Sequence, residues 1–272
     1  MPPVRRKNPS VEPPAWGECA IAVLVAVGVA SALQTPFAPW YVMTHELSNY
    51  SVENVTFDLE VKSTLYPGSQ WRYYCSASDS APAWNEFCAR TWTHPNGMAQ
   101  SYDCFATPCG ANDELGFLYA LVWNLSWIVL LAGIASLGGL FLLLNGRGGW
   151  RLRTTVGLVL AATALVSLGL VLGVAVLQPT AVAHASSISP NYGGPSSTFW
   201  GTCGPATTCE GTFTGPNGTS AITTAQWGPS SGWFLELTAG VLFLVAGFAT
   251  FRTGIIRRRA PRGLAPIPPG GQ

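Results

Sequence analysis

Residues Leu115 to Leu144 read LGFLYALVWNLSWIVLLAGIASLGGLFLLL, and residues Leu152 to Leu177 read LRTTVGLVLAATALVSLGLVLGVAVL; between them stands Asn145 to Arg151, NGRGGWR. The first run has no Asp, Glu, Lys or Arg, and the second has only Arg153. Each is longer than the roughly 20 residues of helix that cross a hydrocarbon core. A soluble helix needs a polar face toward water, and neither run has one. The glycine-rich break suits a tight turn between two antiparallel helices. These residues decide the fold: the chain is read as a membrane α-helical protein.

Two further apolar runs flank this pair, Ala15 to Leu33 and Trp233 to Phe251. Only 10% of the 272 residues are charged, against about 25% in soluble domains, and mean hydropathy is +0.28. The net charge of +1 creates no field that would draw nucleic acid. The partner implied throughout is the lipid bilayer.

The positions of the basic residues give the orientation. Arg5, Arg6 and Lys7 precede the first span, Arg147, Arg151 and Arg153 lie between the second and third spans, and Arg252, Arg257, Arg258, Arg259 and Arg262 follow the fourth span. Under a four-span layout these lie on one side, leaving only Lys62, Arg72 and Arg90 on the other. The basic side is read as the cytoplasm of a multi-pass protein of the plasma (cell) membrane. Trp40, Tyr41, Tyr119, Trp123, Trp127, Trp227 and Trp233 are read as an outer aromatic belt, with Trp16 and Trp150 as the inner one.

The expected organisation is a cytoplasmic disordered N-terminus (1–14), a first span (15–33), a first extracytoplasmic loop (34–114) and a second span (115–144). A cytoplasmic hairpin (145–151), a third span (152–177), a second extracytoplasmic loop (178–232), a fourth span (233–251) and a basic, Pro-rich cytoplasmic tail (252–272) follow. The basic start and Ala30-Ser31-Ala32 also fit a cleavable signal peptide, an alternative that would leave three spans. The outer loops far exceed the usual connector of about 2 to 8 residues in a helical bundle. In the first, Val55, Phe57, Leu59 and Val61 alternate with polar residues, as in a half-buried strand, and Gln70 to Ser76 is rich in aromatics. In the second, Ser197 to Cys203 and Gly211 to Thr224 are strand-like, with a hairpin turn at Pro216-Asn217-Gly218. The fold class expected is a four-transmembrane-helix bundle under a small, disulfide-braced, β-rich extracytoplasmic cap.

Six of the seven cysteines fall in the outer loops. An even number in an oxidising compartment reads as disulfides, whose pairing sequence alone leaves open. Loop proximity favours Cys75–Cys88, Cys104–Cys109 and Cys203–Cys209. Cys19 reads as a small buried hydrophobe. Asn49, Asn54 and Asn217 begin Asn-x-Ser/Thr sequons in the same loops and are candidate sites for a surface glycoprotein. Inside the spans, Glu18 and Glu236 stand near the two interfaces, and Asn124 is deep enough for an interhelical hydrogen bond. Gly157 and Ala161, Gly169 and Gly173, and Gly133, Gly138 and Gly139 have the spacing of close helix packing.

No catalytic, metal or nucleotide motif stands out, and His45, His94 and His184 are scattered. No catalytic residue, cofactor or metal is therefore assigned. Four spans, a large first loop and Trp71-Arg-Tyr-Tyr-Cys75 followed by Cys88 resemble the claudin-like four-transmembrane (tetraspan) group. In that group a Gly-Leu-Trp motif precedes two first-loop cysteines whose disulfide braces the sheet. Here Gly68-Ser-Gln-Trp71 stands in its place, Asp113 and Glu114 replace the basic residue before the second span, and Cys104, Cys109 and the second-loop pair are additional. The resemblance implies adhesion, barrier formation or an accessory role: a non-enzymatic surface protein that binds a protein partner, or a second copy, through its cap. The alternative is a quinone-coupled membrane thiol-disulfide oxidoreductase. That chemistry wants a reducible Cys-x-x-Cys pair, and the spacings of Cys104–Cys109 and Cys203–Cys209 are wider.

Overall fold

The computed structural model describes residues 16–52, 55–67, 70–77, 99–101, 114–184, 194–204, 206, 208–209, 211–215 and 218–259. Its framework is four helices: α1 (Trp16–Gln34), α2 (Glu114–Leu144), α3 (Trp150–His184) and α4 (Ser231–Arg259). All four are long and apolar enough to cross a membrane. At about 1.5 Å per residue, α2 and α3 run well past a hydrocarbon core of about 30 Å. Two helices outlast their apolar runs. α3 continues beyond Leu177 through Pro179 to His184. A proline normally ends a helix, but here Ala181 and Val182, 3% and 0% exposed, are buried in the core beneath the sheet and hold the extra turns. α4 carries on past Phe251 through its arginines to Arg259.

The helices form a closed square: α1 packs on α2 and α4, and α3 packs on α2 and α4. Small residues set how closely they approach. The Phe243 ring of α4 is fully buried and lies against Gly28 of α1 and Gly133 of α2; a Cβ on either glycine would come within 2.7 and 2.8 Å of it. Gly247 of α4 faces the backbone of Gly157 and Ala161 in α3, as the spacing of those two residues predicts. Gly139 meets Val156, whereas Gly138, Gly169 and Gly173 have open space around them.

At the end of the bundle where α1 and α3 finish and α2 and α4 begin, seven antiparallel strands form a sheet. They are β1 (Tyr41–Val52), β2 (Val55–Tyr66), β3 (Gln70–Ala77), β4 (Ala99–Ser101), β5 (Gly201–Cys203), β6 (Thr212–Gly215) and β7 (Gly218–Pro229). The order is β4-β3-β2-β1-β7-β5, with β6 also paired to β7. Strands from both long loops thus share one sheet, joined where β1 meets β7 in the register Tyr41↔Pro229 to Glu46↔Thr224. The alternation at Val55 to Val61 marks β2, and Gln70 to Ser76 lies in β3. Gly211 to Thr224 resolves into β6 and β7, which pair up to Gly215↔Gly218. Two details differ from the sequence reading. Ser197 to Cys203 is a helical turn (Gly194–Ser197), a bend and only then β5. And β1, the strand that joins the two loops, has no counterpart in it.

Candidate functional site: the cap and its seat on the bundle

The sheet is fastened to the helices through Trp40. A 3₁₀ turn, Thr35–Phe37, with Pro36 in its first turn, ends α1 and turns the chain toward β1. Trp40 is fully buried. Its backbone N–H donates to the Leu65 carbonyl (2.9 Å), and its indole N–H donates to the Thr35 carbonyl (3.2 Å). From the other loop, the Ser230 N–H donates to the Trp40 carbonyl (2.9 Å) and the Gly232 N–H to the Pro39 carbonyl (2.7 Å). Position 232 has no room for a side chain: a Cβ there would lie 2.5 Å from Trp40 Cδ1 and 2.9 Å from the Ala38 carbonyl oxygen. The entry to β1 and the exit from β7 are thereby locked together at the side of the sheet that meets the helices.

Aromatic side chains fill the space between sheet and helices. Trp40, Tyr41, Tyr119, Trp227 and Trp233 are all buried in this junction, so they are not the interfacial belt that the sequence suggested. Phe199 bridges Tyr41 and Trp233, with ring centroids 5.6 and 5.8 Å away. The Trp233 indole donates to the Val171 carbonyl of α3 (3.1 Å), and the Trp227 indole to Thr198 (3.2 Å). Trp123 and Trp127 are half-buried and packed edge-on with Phe37, and Trp16 and Trp150 are exposed at the far end. Cys203 and Cys209 form a disulfide with Cα atoms 5.2 Å apart, packed against the same core. Across the join of the two loops, the Thr224 hydroxyl donates to the Glu46 carboxylate (2.5 Å) and the Thr223 hydroxyl to the Glu46 carbonyl (3.1 Å).

The other residues singled out in the sequence are placed as follows. Asn49 lies on β1, and Cys75 lies on β3 in register with Val61; the side chains of both are outside the described residues. Asn54, Cys88, Cys104, Cys109 and Asn217 lie outside them altogether. The Cys75–Cys88 and Cys104–Cys109 bridges and the sequons are therefore not part of this geometry. The amide of Asn124 donates to the Ala120 carbonyl on its own helix (2.8 Å), not to a neighbouring helix.

Glu236 does not reach an interface. It is fully buried within the bundle, beside Ser167 and Thr35. Those hydroxyls donate to backbone carbonyls, Ser167 to Glu236 (2.8 Å) and Thr35 to Ser31 (3.2 Å), and the Glu236 carboxyl oxygens accept no hydrogen bond among the described residues. Gln178 and Tyr119, likewise buried, lie together beneath the sheet. At the opposite end, Arg153 of α3 reaches Glu18 of α1 in an ion pair of 2.5 Å. In the sequence Glu18 stands near an interface and Arg153 belongs to the basic cluster between the second and third spans, and the pair itself goes unread. The available signal was that each stands in the first turn of a helix entering from the same side, so opposite charges share one depth.

Among the described residues no three His, Cys, Asp or Glu side chains converge on a point that could hold a metal. What the geometry offers is a rigid, covalently braced surface on a membrane-length bundle. No protein-family model matches this chain, and no curated protein matches it.

Proposed function

We propose that this is a non-enzymatic, multi-pass protein of the cell membrane, claudin-like in layout, with both termini in the cytoplasm. Its extracytoplasmic sheet serves as a docking surface for a protein partner, either another membrane or surface protein or a second copy of the chain. One observation carries the reading: both long loops fold into a single sheet in which the neighbouring strands β1 and β7 connect, through short segments, to α1 and α4. A passive connector has no need of such construction, whereas a surface that must hold its shape against a partner does. The disulfide in the sheet supports an oxidising compartment on that side. The arginine clusters at the opposite end support a cytoplasmic location there.

The test is photo-crosslinking in intact membranes, with the reactive group placed at Lys62 on β2 or Thr223 on β7, both exposed on the sheet. A discrete adduct with one protein, or a homodimer, is the expected product. Recovery of monomer alone from both positions overturns the reading.

A further inference from the structure

The face of the sheet turned away from the helices carries its charges in order. Tyr41, Met43, His45, Leu65, Ala225 and Trp227 are buried, so the alternate positions of the same strands belong to the outer face. On that face Glu46 of β1, Lys62 of β2 and Gln226 of β7 are exposed. β1 begins at Tyr41, just after α1, and β7 ends at Pro229, just before α4, so the rows of the sheet can be counted outward from the helices. Thr44, Lys62 and Gln226 share one row. Arg72 of β3 holds a position one row nearer the helices, opposite Thr64. Glu46 stands one row farther out, opposite Glu60, and Asp58 holds the next outer-face position of β2. Rows on one face are about 7 Å apart. The face is therefore basic toward the helices and acidic farther out. Acidic residues directly opposite on adjacent strands repel, and the Thr224 hydroxyl that donates to Glu46 (2.5 Å) brings no charge to offset this. A positive charge from outside would.

We propose that this face binds the same face of a second copy of the chain standing in an opposed membrane. The two sheets lie antiparallel, with Lys62 of each copy against Glu46 of the other. The inference rests on the reading above that the sheet is an exported docking surface, and it names the partner. A face that pairs with itself needs charges that become complementary under a two-fold axis. The direction of that axis decides the arrangement. Two copies face to face in one bilayer share an axis along the membrane normal, so each row meets its own kind and Glu46 confronts Glu46. Two copies in apposed bilayers share an axis in the membrane plane, which reverses the order of rows and sets acid against base. Each exposed ion pair is weak and screened by salt, so one contact holds little. Many copies between two surfaces act together.

The experiment uses the full chain reconstituted in phosphatidylcholine vesicles, which have no net charge of their own, and reads vesicle clustering by light scattering. Wild type is expected to cluster at low salt and to lose about fivefold of that clustering in about 0.5 M sodium chloride. Lys62→Glu alone and Glu46→Lys alone put like charges at both crossings, and each is expected to cluster about tenfold less. Lys62→Glu vesicles mixed with Glu46→Lys vesicles regain both crossings and are expected to cluster within about twofold of wild type. The double variant, Glu46→Lys with Lys62→Glu, is expected to cluster with itself, and it decides the matter should a single variant not fold. No clustering by wild type, undiminished clustering of both single variants, or failure of the mixture or of the folded double variant overturns the proposal. So does a homodimer crosslinked through Thr223 in vesicles that do not cluster, since that contact lies within one bilayer. A Thr223 adduct with a different protein, beside wild-type vesicles that do not cluster, sinks this inference and leaves the docking reading standing; no adduct and no clustering remove both.

Discussion

Single positions carry more of this architecture than their size suggests. Gly232 is a tight point between sheet and bundle, where the Trp40 ring and the Ala38 carbonyl occupy the space that a methyl group needs. Gly232→Ala is expected to cost about 1–3 kcal/mol, because overpacking at this point displaces backbone as well as side chain. A fall in the thermal unfolding midpoint of the detergent-solubilised protein measures it. Phe243 is the matching case within the bundle. Removing the ring in Phe243→Ala is expected to cost about 2–3 kcal/mol, nearer the low end for a soluble core because lipid rather than water is the alternative environment. Gly28→Ala should be destabilising in wild type, where the new methyl meets the ring, and nearly neutral in the Phe243→Ala background. Equal effects of Gly28→Ala in both backgrounds would show that the ring and the glycine are not coupled.

At the level of elements, the second loop depends on a very short crosslink. Cys203 and Cys209 are six residues apart in sequence, and closing so small a loop restricts the unfolded chain by only about 2 kcal/mol. β5 has just three residues to hold it against β7, so that amount is decisive locally and minor for the bundle. Cys203→Ser with Cys209→Ser is expected to make the 194–211 segment sensitive to limited proteolysis while the helical circular dichroism signal persists. Which elements could be read from sequence follows the same logic of local against collective signals. α2 and α3 announce themselves through some thirty residues with almost no charge, and β2 through strict alternation at Val55 to Val61. β1 alternates too, with Tyr41, Met43 and His45 turned inward, but an inward His and the polar residues after it hide the pattern. Small-residue spacing marks the side of α3 where Gly157 and Ala161 meet Gly247. Elsewhere the helices are apolar around most of their circumference, so hydropathy does not distinguish a lipid-facing from a bundle-facing position. That is why the sequence placed Glu236 toward an interface and the structure places it inside. Trp40 and Tyr41 look like a belt in the sequence for a related reason: composition marks the boundary between the apolar helices and the cap but not whether an aromatic there faces outward or the sheet.

For the whole molecule, the decisive quantity is the charge asymmetry between the two ends of the bundle. Arginines gather at the end bearing the 145–149 connector, and the sheet stands at the other. Carrying a cluster such as Arg257-Arg258-Arg259 across a bilayer is strongly disfavoured, so the sheet is the part expected to be exported. The chain provides its own reporters, because its lysines are only two, Lys7 before α1 and Lys62 on β2. The Lys62 side chain is exposed and open to reagents from solution. An amine-reactive, membrane-impermeant reagent applied to sealed cells should modify Lys62 and leave Lys7 untouched, and after permeabilisation both should react, as read from peptide masses. Modification of Lys7 in sealed cells with Lys62 protected would invert the molecule. It would put the disulfide in a reducing compartment and remove the basis for treating the sheet as a surface that meets other cells or other surface proteins.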